Sequence, residues 1–359
     1  MNDNTNFLIE HNKRQSKDFL SPDQVQKRED YQRQHKTDVM ITKCMDGRVN
    51  VPVITGIPMG VFAPYRSMGA VFDIGSPGFA PHVRGFYEHV RGRRIKEGEA
   101  NGIVINTYHF SKGSRERGCK GFGFDTERAC KCTKLLRGDF EEVYGKAHAH
   151  VYPVCVGVET DEDALVIHGE GKTLDVSEHL GYSEEDFRRE LRLMFPDMKD
   201  VVLEDLLPLV VGNRAHVEKV KKEHKPIVEL DHRESTIAVG RGFDWLHLVN
   251  HALIVGTFNV DWLHEVSVAA HIVHENLKRE PELAAKGATL IASAPYRKPG
   301  VDAAVSRQKA MSMARAAWAR VKKNEPGLLE NFKLELLVGT LDRNTMLMDW
   351  IDVDPESFE

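Results

Sequence analysis

The sequence predicts an α/β protein, a mostly parallel sheet flanked by helices, followed by a second, degenerate copy of the same arrangement. Three observations carry this. The runs DVMITKC (38–44), AVFDIG (70–75), GIVINTYH (102–109) and AHVYPVCVGV (149–158) are short, apolar or β-branched, and closed by turn residues. Helical stretches such as GFYEHVRGRRIKEG and DTERACKCTKLLRGDFEEVYGK separate them, the alternation expected of βαβ units. The chain has 359 residues, room for two domains of roughly 100–200 residues each. Finally, VCVGVETDEDALVIH (154–168) and LLVGTLDRNTMLMDW (336–350) share an apolar pattern and a Val-Gly, as an internal repeat would.

Taken in order, residues 1–38 are polar, without a sustained apolar period, and read as an extension whose helix covers at most SPDQVQKREDYQRQ. Residues 39–175 form the first α/β domain. Residues 176–240 read as a helical connector, opened by a Ser177 cap before Glu178. Residues 241–359 are the second copy. In it, GATLIASAPYRKPG (287–300) falls opposite NGIVINTYHFSKGS, and ALIVGTFNVD (252–261) opposite VMITKCMDGR. That alignment sets Thr257 against Cys44, Asn259 against Asp46, Asp261 against Arg48, and Pro295 near His109. The copy keeps the scaffold and loses the reactive side chains.

Composition excludes several classes. The longest apolar stretches, such as LLPLVVG, fall far short of the ~20 residues of a membrane helix. The N-terminus lacks the basic start, apolar middle and small-residue cleavage site of a secretory signal, so a cytoplasmic protein is expected. A net charge of −5 gives no reason to invoke nucleic acid or anionic lipid. Five cysteines, an odd set in a long chain, point to thiols or metal ligands rather than a disulfide framework.

The reactive residues gather at strand ends, where open α/β sheets place their ligands. Cys44 closes DVMITKC, and His109 closes GIVINTYH. Cys119 follows ten residues later, across the loop FSKGSRERG. Two thiolates and an imidazole suit Zn²⁺ with one position open for water, whose pKa the ion can lower to about 7. Asp46 would accept a hydrogen bond from the resulting hydroxide, and Arg48 would hold Asp46 in place. Elsewhere, Cys130 and Cys132 in RACKCTK point to different helix faces and read as structural. His148 and His150 alternate along a predicted strand, and His271 and His274 lie one helical turn apart; both pairs read as packed or surface histidines.

CMDGR, YRSMGA, His109 and Cys119 together resemble the β-class carbonic anhydrases, whose pattern is Cys-x-Asp-x-Arg, an Arg-x-x-Gly segment, then His and Cys. The usual His-x-x-Cys spacing is replaced by HFSKGSRERGC, a long gap similar to that of the carboxysome shell carbonic anhydrases and the diatom cadmium-type enzymes. The carboxysomal branch also pairs a catalytic domain with a degenerate copy. The resemblance implies a β-carbonic-anhydrase-like fold, zinc on Cys44, His109 and Cys119, a catalytic dyad of Asp46 and Arg48, and reversible hydration of carbon dioxide to bicarbonate. Arg66 and Gly69 would shape the substrate pocket, and a homodimer or higher oligomer is implied. The carboxysomal enzymes carry a long region ahead of the catalytic domain, whereas fewer than forty residues precede it here, so the resemblance leaves two expectations open: a carboxysomal enzyme that docks to the shell or to Rubisco, and a freestanding cytoplasmic relative. A hydrolase of carbon disulfide or carbonyl sulfide on the same fold is the alternative enzyme, and a non-catalytic metal-binding assembly protein the alternative from another class.

Overall fold

The computed structural model describes residues 1–97, 101–246 and 248–358. The elements begin with α1 (Asp3–Phe19), α2 (Pro22–Gln34), β1 (Thr37–Cys44), α3 (Val51–Thr55), β2 (Phe62–Ser67), α4 (Ala80–Glu97) and β3 (Asn101–Phe110). There follow α5 (Thr126–Tyr144), β4 (Val151–Glu159), β5 (Ala164–His168), β6 (Thr173–Asp175), α6 (Glu184–Met194), α7 (Asp200–Glu223) and α8 (Ile227–Leu230). The rest comprises β7 (Thr236–Gly240), β8 (Ala252–Val255), α9 (Trp262–Arg279), α10 (Pro281–Lys286), β9 (Thr289–Tyr296), α11 (Val301–Asn324), α12 (Gly327–Phe332), β10 (Glu335–Asp342) and β11 (Leu347–Ile351).

These elements form two compact units. The Cys44 unit comprises Gln26–Cys44 and Val49–Leu230; the Arg48 unit comprises Met1–Val25, Met45–Arg48 and Asp231–Glu359. In the Cys44 unit the strands lie in the order β2-β1-β3-β4-β5-β6, parallel through β4 and antiparallel beyond it. Strands buried on both faces need continuous apolar runs. Accordingly Met40, Ile41, Val104, Val154 and Ile167 are buried, under Phe79, Phe140 and Leu203 from the flanking segments. α7 joins this core through Asn213, which accepts from Leu165 N at 2.8 Å and donates to the carbonyls of Ile54 and Asp163.

In the Arg48 unit the order is β11-β10-β9-β7-β8, with only β11 antiparallel. This matches β5-β4-β3-β1-β2 strand for strand. Thr236–Gly240 therefore holds the place of β1, and Ala252–Val255 that of the edge strand β2. The sequence alignment that set ALIVGTFNVD against VMITKCMDGR is thus displaced by one strand, and Thr257, Asn259 and Asp261 do not occupy the positions of Cys44, Asp46 and Arg48. β7, TIAVG, lies inside the stretch 176–240 that the sequence reads as a helical connector, so the alignment sets the next strand in its place.

Other local expectations also shift. The run AVFDIG forms no strand, and the strand beside β1 is Phe62–Ser67. The cap of α6 is Ser183, reciprocated by Asp186 in a capping box, whereas Ser177 lies in a short turn capped by Asp175. The polar first residues form α1, a helix of 17 residues, in addition to the expected helix at Pro22–Gln34. α1 docks by hydrogen bonds more than by apolar burial. Asn4 Nδ2 donates to Thr236 Oγ1 and Thr289 Oγ1, Asn12 Nδ2 donates to Met346 O and its Oδ1 accepts from Met348 N, and Ser16 Oγ donates to Thr345 O. A helix held this way leaves no hydrophobic period to read.

Candidate metal centre

Cys44, His109 and Cys119 come together within the Cys44 unit. All three are buried, and one ligand atom from each lies within 4.8 Å of the others. The two sulfurs are 4.0 Å apart. Adjacent parallel strands supply the first two residues, since β1 and β3 pair with Thr42 opposite Asn106 and each carries its ligand a few residues further toward the same end. Thr42 Oγ1 donates to Asn106 Oδ1 at 2.8 Å and Thr107 Oγ1 to Thr42 O at 2.9 Å, side-chain ties that fix this register.

The long loop to Cys119 is folded by carboxylates on the neighbouring strand end. Glu159 is fully buried and accepts from the backbone N–H groups of Lys112, Asp161 and Glu162. Burial pushes its carboxyl up, against the three N–H groups that favour the anion. Asp161 accepts from Ser111 Oγ at 2.7 Å and Gly113 N at 2.6 Å. Beyond Cys119 a tight turn over Lys120–Phe122 leads to Asp125, which caps α5 by accepting from Arg128 N.

The segment Met45–Arg48 follows Cys44 in the chain and belongs to the Arg48 unit. Met45 O accepts from Ile254 N at 2.8 Å, and a Cβ on Gly47 would stand 2.5 Å from the Ala252 carbonyl oxygen, so only glycine fits there. Arg48 grips Asp46 with three donors: its N–H to Oδ1 at 2.9 Å, Nε to Oδ1 at 3.1 Å, and Nη2 to Oδ2 at 2.7 Å. Both residues are buried.

Two further residues complete this network, neither anticipated from the sequence. Arg48 Nη2 lies 3.1 Å from His232 Nε2, and His232 Nδ1 lies 3.1 Å from Glu234 Oε1. A guanidinium has no acceptor, so Nε2 accepts and the ring proton sits on Nδ1, facing Glu234. Glu234 is fully buried; burial alone would push its carboxyl up, and its interaction with His232 carries it below the ordinary carboxylate range. Asp46, His232 and Glu234 also lie close enough to share a metal ion. Arg48 already presents its positive charge to Asp46 and His232, so the set is a hydrogen-bonded relay.

The profile of the carboxysome shell carbonic anhydrase catalytic domain matches residues 31–215, just over half of the chain, from α2 into α7. The chain belongs to the carboxysome shell carbonic anhydrase family. It is accordingly a carbonic anhydrase, a lyase acting on carbon dioxide and bicarbonate. No curated protein matches the sequence as a relative. Among solved structures, the Streptococcus pneumoniae AdcAII protein aligns over 90% of this chain and 95% of its own at 11% identity, with a TM-score of 0.24, too slight a likeness to bear on fold or function. No described helix of this carbonic anhydrase is long and apolar enough to cross a membrane.

The remaining predicted residues separate by position. Arg66 lies on β2, and its Nη1 and Nη2 donate to the carbonyls of Cys44 and Val49, bracing the chain on either side of the CMDGR turn. Gly69 has φ +67°, and a Cβ there would stand 2.8 Å from the Phe122 ring. It admits the turn that follows Cys119. His148 and His150 precede β4 and do not alternate along a strand; His148 has φ +48° and contacts Asp197. Gly145, at φ +90°, ends α5 and opens the turn that carries both histidines ahead of β4. His271 and His274 converge through Nδ1 on the two oxygens of Glu325. Cys130, on α5, faces His168 on β5, not Cys132.

Proposed function

We propose that this carbonic anhydrase is zinc-dependent, with the ion on Cys44, His109 and Cys119 and with Asp46 and Arg48 as the catalytic dyad for reversible hydration of carbon dioxide. The observation that carries the reading is the mutual approach of those three donors to within 4.8 Å in a buried site. Two thiolates each about 2.3 Å from one tetrahedral zinc ion stand roughly 3.8 Å apart, close to the 4.0 Å between the sulfurs here. Two sulfurs and one imidazole suit a borderline-soft ion and leave one of four positions open. Bound there, zinc supplies the Lewis acidity that makes water nucleophilic near neutral pH.

The protein's own groups do the rest. Asp46 is an acceptor-only carboxylate held by Arg48 from one side, so a water O–H directed at it is oriented with its lone pair toward the substrate carbon. Arg48 is in turn held by His232, and His232 by Glu234, so the carboxylate stays aimed. Arg66 donates to the Cys44 carbonyl and Gly69 packs under Phe122, three residues past Cys119, and this closeness to the ligands supports their assignment to the substrate pocket. The matching strand orders support reading the Arg48 unit's sheet as a degenerate copy of the first. The family match supports a carboxysome-associated role, and the resemblance supports a homodimer or higher oligomer.

Metal analysis paired with stopped-flow hydration tests this. One zinc per chain is expected, with zinc and activity both lost in Cys119→Ala. Full hydration activity in metal-free protein overturns the assignment, as does a zinc-replete protein that turns over carbonyl sulfide but not carbon dioxide.

A further inference from the structure

A second group of reactive side chains lies on the α5 side of the same sheet. Cys130 is on α5, half-buried, while Cys155 on β4 is buried. Cys155 and His168 are directly paired across β4 and β5, so their side chains share a face. Cys130 Sγ is 3.9 Å from His168 Nε2, and Tyr108 Oη is 2.8 Å from the same nitrogen. Thr173 Oγ1 is 3.2 Å from His168 Nδ1. His168 thus places Cys155 on the face that the Cys130 sulfur approaches.

We propose that Cys130 and Cys155 form a peroxide-oxidised dithiol, with Cys130 the attacking sulfur and Cys155 the resolving one. The neighbouring Cys155 thiol, then His168 and Tyr108, lower the Cys130 thiol to about 4 against the cost of burial. Cys155 is pushed up, chiefly because its proton is held by Cys130, with burial adding to it; Lys134 and Arg137 act weakly the other way. One thiolate and one thiol beside the same imidazole are the two states such chemistry needs.

The steps balance. The Cys130 thiolate attacks one oxygen of hydrogen peroxide and breaks the O–O bond, giving a sulfenic acid and hydroxide, which leaves as water after taking a proton. Cys155 sulfur then attacks the sulfenic sulfur, forming the S–S bond and expelling hydroxide, which takes the Cys155 proton as a second water. Two electrons pass from the sulfur pair to the peroxide. The site is independent of the zinc assignment, although Tyr108 neighbours His109 in the chain.

The test uses the unmodified full chain. Alkylation of each cysteine by iodoacetamide is followed by peptide mass analysis between pH 6 and 8, with Cys132 as the internal reference, since burial raises that thiol. The Cys130 rate is expected to stay flat, where an ordinary thiol of pKa about 8.5 gains roughly 70-fold over the same range. Hydrogen peroxide is expected to yield a Cys130–Cys155 cross-linked peptide two hydrogens lighter, and in Cys155→Ser a sulfenic acid at Cys130 trapped by a 1,3-dione. A Cys130 rate that climbs like that of an ordinary thiol overturns the proposal. So does peroxide treatment that oxidises Cys130 no faster than Cys132 and leaves it unlinked to Cys155.

Discussion

His232 Nε2 lies 3.1 Å from Arg48 Nη2, so an imidazole almost two hundred residues along the chain supports the guanidinium that grips Asp46. Removing it takes one support from Arg48 and leaves the buried Glu234 with its hydrogen bond from Asn276 Nδ2. Outer-layer partners of this kind typically matter by about 10–100-fold. His232→Ala is expected to lower kcat/KM for carbon dioxide about tenfold without changing metal content. His232→Gln, whose amide oxygen accepts from Arg48 and whose N–H₂ reaches Glu234, is expected to recover part of the loss. Equal activity in all three proteins, measured by stopped flow, would remove His232 from the positioning role.

Asp46→Asn tests the dyad directly. The amide keeps the size of the side chain but swaps one acceptor oxygen for a donor, which then faces Arg48 or the water. A proton-positioning group contributes about 10²–10⁴-fold. A fall of that size in kcat is expected, with zinc content unchanged because Asp46 is not among the proposed ligands. Loss of zinc together with activity would instead make Asp46 a structural support of the metal centre.

How much of this was legible in the sequence depends on where each residue draws its neighbours. Cys44, Asp46 and Arg48 sit two apart in the strand-to-turn stretch TKCMDGR, and His109 closes an apolar run, so local pattern exposed them. His232 and Glu234 carry the same alternation, in HRE just before β7, but TIAVG was absorbed into the helical connector, and nothing local links it to Arg48. The same omission displaced the repeat alignment by one strand. α1 escaped for another reason: Asn4, Asn12 and Ser16 are buried by hydrogen bonding, which apolar periodicity does not register. Side-chain reach across 100 residues or more is what the pattern of a single chain omits.

Gly69 offers a test of how the Cys119 turn is held. Its φ of +67° costs an L side chain about 1–2 kcal/mol, and the added Cβ would press on Phe122 at 2.8 Å. Gly69→Ala is expected to lower Tm by several degrees, at about 2–4 °C per kcal/mol for a domain of this size. Zinc affinity is expected to fall as well, because Phe122 lies three residues from Cys119. Adding Phe122→Leu should relieve the steric part and leave the backbone part, a non-additive pair. Additive losses would show that the two residues do not meet.

The acid limb of stability should depend on His251. Burial lowers this imidazole to about 4, and the charges of His11 and Lys286 push the same way, while Glu234 opposes them. The unfolded chain binds the proton near pH 6.5, the folded chain only near pH 4. Because the folded pKa is the lower one, stability is fully present above pH 6.5 and declines as the pH falls through that window toward 4. The loss is on the order of 3 kcal/mol by linkage. Glu234, also depressed, contributes in the same direction but below the ordinary carboxylate range. His251→Gln, which cannot titrate, is expected to flatten urea-unfolding stability between pH 6.5 and 4.5 relative to the unmodified protein. Parallel pH profiles for the two would assign the acid sensitivity to other groups.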